Sequence, residues 1–130
     1  MSDAPVFDYL SVEDLFEIAE GVIEGDVVVR DHGLLASAAA RPRTSAFGRD
    51  AYPEFPDQAA ALMHSIARNH ALIDGNKRLA WAATRVFCLL NGRDLSFDVD
   101  EAEATVVAVA SGELDATALA RVLRAHLITN

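Results

Sequence analysis

The chain has 130 residues, 52% of them hydrophobic and 24% charged. That fits one domain of about 100–150 residues and is too apolar for a disordered chain, so a single domain over 1–130 is expected. Acidic residues outnumber basic ones 20 to 11, a net charge of -9, which excludes a general nucleic-acid binder that needs a basic footprint. The basic set contains a single lysine, Lys77, beside ten arginines.

In chain order, Met1-Ser2-Asp3-Ala4-Pro5 has neither a basic n-region nor an apolar h-region, so no signal peptide is expected. Residues 1–10 read as an extended lead-in. Ser11 then caps a helix with Asp14 at N3 and Leu15, Ile18, Ala19 and Val22 on one face, ended by Gly25-Asp26. Val27-Val28-Val29 is either a brief extended piece or a buried loop. A short helix over 33–40 is closed by Arg41-Pro42, because a residue before proline avoids helical geometry. Residues 41–56, with Pro42, Gly48, Pro53 and Pro56, form one long irregular segment, a common place for function.

Asp57 is the expected cap of a helix running to about His70. After the turn Leu72-Ile73-Asp74-Gly75, Asn76 opens a helix to about Asn91, with Gly92 as its C′ glycine. It is apolar nearly all round after Arg78, which marks it as the central buried helix. Cys88 lies in its apolar run and reads as a buried structural thiol, and a chain with one cysteine suits a reducing cytoplasm. Leu95-Ser96-Phe97 alternates like a short strand. Asp100 with Glu103 at N3, and then Asp115, start the last two helices, the latter with Leu119, Val122, Leu123 and Leu127 on one face. No apolar run approaches the about 20 residues of a membrane span. The fold class is all-α, a compact bundle of about six helices.

The chemistry concentrates between the two central helices, at Arg68-Asn69-His70-Ala71-Leu72-Ile73-Asp74-Gly75-Asn76-Lys77-Arg78. A helix N-terminus offers unpaired N–H groups and positive dipole potential, and Gly75 permits a close backbone approach. Lys77 and Arg78 oppose that dipole, so their presence in the first turn implies an anionic ligand. Asp74 beside a phosphate site suits magnesium, and His70 at the same mouth can accept a hydroxyl proton. Phosphoryl or nucleotidyl transfer from a nucleotide is the chemistry these residues fit. Against it stands the plainer reading, a helix corner capped by His70 and Asp74 with a solvated first turn.

His70 to Arg78 resembles the signature of the Fic/Doc (Fido) family: histidine, an acid four residues on, then Gly-Asn-Lys-Arg. The likeness is to the Doc branch, the death-on-curing toxins of toxin–antitoxin modules. It extends over roughly residues 9–127, through Leu10-Ser11-Val12-Glu13-Asp14-Leu15, Asp31-His32-Gly33-Leu34-Leu35, Ala40-Arg41-Pro42, Phe87-Cys88-Leu89-Leu90-Asn91-Gly92 and Ser111-Gly112-Glu113-Leu114. The resemblance implies a Fido-type bundle whose central helix follows the motif loop. It implies that His70 activates a target hydroxyl and that Asp74 holds Mg2+ and positions the reacting phosphate. Arg68, Gly75, Asn76, Lys77 and Arg78 would bind the nucleotide phosphates. Lysine at 77, where AMP-transferring relatives carry glycine, implies transfer of the γ-phosphate of ATP, in the family to a threonine of elongation factor Tu, which arrests translation.

Two departures bear on the alternatives. Trp81 stands where AMP-transferring members carry a second arginine, and Leu72 replaces the common aromatic. The alternatives are a Fic-type AMP transferase and an inactive Fido domain acting as a binding partner; the second would have lost motif residues, and none of His70, Asp74, Asn76 or Arg78 is lost. An internal inhibitory pattern, Ser or Thr four residues before Glu, is absent, which implies inhibition by a separate cognate antitoxin laid into a groove. The region before the motif helix would hold the target, with Arg43, Arg49, Tyr52 and Phe55 as candidate contacts, or else be an ordinary surface loop.

Overall fold

The computed structural model describes residues 6–129. Six helices carry the fold: α1 (Val12–Val22), α2 (His32–Ala40), α3 (Phe55–Asn69), α4 (Asn76–Leu90), α5 (Val99–Ala110) and α6 (Ala116–His126). Two short antiparallel pairs decorate them: β1 (Ser45–Ala46) with β2 (Arg49–Asp50), and β3 (Arg93–Leu95) with β4 (Leu127–Thr129).

Local chemistry sets most helix starts. Ser11 and Asp14 form a capping box on α1, and Asp31 and Asp115 accept N–H bonds at α2 and α6. α5 starts two residues earlier than the sequence pattern indicated. Asp98 is its cap and Glu101 its box partner; the Asp100 and Glu103 pair has the same spacing but lies inside the helix. Phe97, held in a stack 3.9 Å from the His126 ring, fixes the entry point. α3 also begins early, at Phe55 after Glu54, with Pro56 in the first turn where a missing N–H costs nothing; Asp57 is a first-turn acid and not the cap.

The 41–56 segment has more structure than expected. Arg41 keeps helical angles (φ -57, ψ -41) despite the proline after it, and Arg41–Arg43 continue as a 3-10 turn. The Arg41 guanidinium supplies the compensation: it reaches Tyr52 Oη at 3.0 Å, His64 Nδ1 at 2.8 Å and Ser65 Oγ at 2.9 Å. A guanidinium can only donate, so His64 Nδ1 accepts that bond; burial, with Arg41 and Arg68 nearby, lowers the His64 pKa. The hairpin beyond turns through Phe47 (φ 54) and Gly48 (φ 75), the twist of a primed turn, and leaves Phe47 fully exposed at its tip.

The core lies where α3 and α4 meet α1 and α6. α3 is buried along ten of its fifteen residues, including Leu62, Met63 and Ile66. α4 buries Leu79, Ala80, Ala83, Thr84, Phe87 and Cys88, while Lys77, Arg78 and Arg85 mark an exposed stripe. The Phe55 and Phe87 rings stack at 4.9 Å, so Phe55 is a core residue and unavailable as a target contact. Cys88 is fully buried and its thiol pKa is pushed up to about 12 by desolvation. Leu127 leaves the α6 face it was expected to extend and pairs in β4 against Leu95. Among the described residues, no helix is long and apolar enough to cross a membrane.

Candidate active site

α3 ends on His70, which adopts left-handed angles (φ 52, ψ 50) as the C-cap. That conformation is uncommon outside glycine and needs external support. Arg30 provides it, donating from Nε to the His70 carbonyl at 2.8 Å and from Nη2 to the Asn69 carbonyl at 3.2 Å. A cation on the last carbonyls also complements the α3 dipole. The same segment pins the loop by its backbone. Arg30 and Asp31 N–H groups share the Ala71 carbonyl at 2.8 and 3.1 Å, and the Ile73 N–H donates to Val28 O at 3.0 Å. The Val27–Val29 run is therefore an extended strap, bridged at Val29 to Leu72. Leu72 is 1% exposed, so leucine anchors the loop without an aromatic ring.

The loop closes on Asn76. Its Oδ1 accepts the Leu72 N–H at 3.0 Å and its Nδ2 donates to the Leu72 carbonyl at 2.9 Å. The side chain expected to face phosphate is thus bonded to the loop backbone, while Asn76 still lines the cleft. Gly75 precedes it at φ 89, and a Cβ there would run into the Ile23 side chain, within 2.6 Å of Cγ1. Glycine at 75 is favoured by the positive φ, and any larger residue there would also force the Ile23 side chain to move.

α4 starts without a side-chain cap because its N-cap, Gly75, has no side chain, and Asp74 just before it accepts the Gly75 N–H at Oδ1, 2.9 Å away. The N–H groups of the first turn therefore face a cleft of about 540 Å³, lined by His70, Asp74, Gly75, Asn76, Lys77 and Arg78, with Ile23 and Glu24 from the end of α1. Ion pairs among the described residues are Arg85–Asp94, Arg124–Glu54 and His126–Glu101, so Lys77 and Arg78 are in none. Both are exposed on the cleft, as are His70 and Asp74. First-turn N–H groups, the positive end of the helix dipole and two cations outside any ion pair meet here, an arrangement able to attract an anion, with the carboxylates of Asp74 and Glu24 on the same cleft.

Arg68 does not join it. Its guanidinium donates instead to the Ala110 carbonyl at 2.8 Å, capping the end of α5 behind a residue that lines the cleft. Trp81 lies outside the cleft as well, in an adjoining groove of about 760 Å³ beside Val99, Val106 and Val107 that shares Lys77 and Arg78 with it. Its ring meets Phe97 edge-on at 5.4 Å.

Residues 9–88 match the Fic/DOC family. The chain belongs to that family. It is also 48% identical over 115 residues to Toxin Doc of Mycolicibacterium smegmatis (strain ATCC 700084 / mc(2)155), covering 87% of this chain and 88% of that protein. Membership sets the chain among transferase-type enzymes and includes the cleft residues His70 to Arg78 within the matched span. Arg30, Ile23 and Glu24 were not singled out by sequence reasoning. The one signal available was the β-branched run at 27–29, which marks a strap without revealing what it holds.

Proposed function

We propose that the protein is a Doc-like toxin that transfers the γ-phosphate of ATP to a threonine hydroxyl of elongation factor Tu, arresting translation. The observation that carries this reading is the cleft itself: His70, Asp74, Lys77 and Arg78 share one mouth at an uncapped helix start. Lys77 and Arg78 with the α4 N–H groups hold the phosphate chain. His70 takes the proton as the threonine oxygen bonds to the γ-phosphorus and the bond to the ADP oxygen breaks.

Among the described residues no three His, Cys, Asp or Glu side chains gather to bind a metal by themselves. Asp74, one exposed carboxylate beside an anion cradle, fits magnesium, which takes one or two carboxylates and completes its shell with phosphate oxygens and water. When bound there, magnesium supplies charge neutralisation on the phosphates.

The kinase reading is favoured over AMP transfer because Lys77 fills the place of glycine and Trp81 lies in the apolar groove. The inhibitory partner implied by this reading is a separate antitoxin. The groove lined by Val22, Trp81, Phe97, Val99, Val106 and Val107 suits it, because that groove shares Lys77 and Arg78 with the cleft. Expression in bacteria without an antitoxin tests the toxin reading. The wild type should halt growth and protein synthesis, and His70→Ala should be harmless at equal soluble abundance; equal toxicity of the two would contradict it.

A further inference from the structure

One lining residue of the cleft has no part in the chemistry above. Glu24 follows Ile23, whose side chain covers the α carbon of Gly75. That packing carries Glu24 from the end of α1 to the cleft mouth, where it is exposed beside Asp74, Lys77 and Arg78. None of the ion pairs among the described residues includes it.

The charges decide what this does. Lys77 and Arg78 bring two positive charges to the cleft, and Asp74 and Glu24 bring two negative ones. With Asp74 alone, the side chains would favour any polyphosphate. With Glu24 added they balance, and a free polyphosphate entering the cleft meets two carboxylates as well as two cations. A ligand that arrives with a divalent cation reverses this, since the cation meets the carboxylates while the phosphate oxygens meet the cationic side chains. We propose that Glu24 makes polyphosphate binding in this cleft conditional on a divalent cation, so that the site accepts a nucleoside triphosphate as its metal complex and discriminates against the free anion. This rests on the reading of the cleft as a nucleotide site.

Calorimetry on the full chain tests it, with ATP titrated in excess magnesium and again in EDTA. The readout is the ratio of the two dissociation constants. Glu24→Gln should tighten metal-free ATP and compress that ratio by about five- to tenfold, the scale of one carboxylate at a solvated site. Glu20→Gln, exposed on α1 and outside the cleft lining, should keep the wild-type ratio. An unchanged ratio in Glu24→Gln overturns the proposal. So does an equal gain for both forms, which would make Glu24 a plain competitor for the anion. If the wild type binds neither form, the nucleotide reading itself falls, and the proposal with it.

Discussion

At the residue scale, the motif divides into side chains that face the cleft and side chains that build the loop. His70, Asp74, Lys77 and Arg78 face the cleft; Leu72 and Asn76 are turned inward, and Gly75 is constrained from both sides. The Asn76 bonds satisfy both backbone groups of a buried residue, each of which would otherwise cost about 1–3 kcal/mol. Gly75 makes a separable prediction. Gly75→Ala adds the left-handed penalty of about 1–2 kcal/mol and a collision with Ile23. In a double-mutant cycle by chemical denaturation, Ile23→Ala should recover the collision part and leave the dihedral part. Full additivity of the two substitutions would show that Ile23 does not rest on Gly75.

At the element scale, the strap at 27–31 positions the loop that carries His70 and Asp74. It holds the left-handed His70 through Arg30 and the loop backbone through Val28, Arg30 and Asp31. Arg30→Ala should therefore lower the turnover of the transferase at least about tenfold, by misplacing the base, while nucleotide affinity stays near wild type because Lys77, Arg78 and the α4 start are untouched. Arg30→Lys should rescue poorly, since one ammonium cannot reproduce the fork that spans two carbonyls. Equal loss of affinity and turnover would make Arg30 a general stabiliser.

These elements were unevenly legible. Caps at Ser11 and Asp115, and the contiguous loop 70–78, are local patterns that a linear reading recovers. Asp98 and Asp100 have identical box spacing, and the packing of Phe97 on His126 chooses between them. Arg30 and Glu24 were illegible because their roles come from tertiary neighbours; Arg30 meets His70 across 40 residues of sequence. The reach of Arg68 to Ala110 was hidden for the same reason.

At the scale of the whole molecule, a net charge of -9 surrounds a cleft with two unpaired cations. The acidic balance of the whole chain discourages nonspecific polyanions, so the proposed phosphate site is a local exception in the charge distribution. The solitary lysine of the sequence stands at that cleft, beside the uncapped start of α4. The central claim is that these residues pass a phosphoryl group to a protein hydroxyl. Its most direct test is the intact mass and site mapping of purified elongation factor Tu after incubation with the protein, ATP and magnesium. The account predicts one added phosphoryl group on a threonine, absent with His70→Ala. An added AMP group, or an unmodified factor with fully folded, nucleotide-binding enzyme, would contradict it.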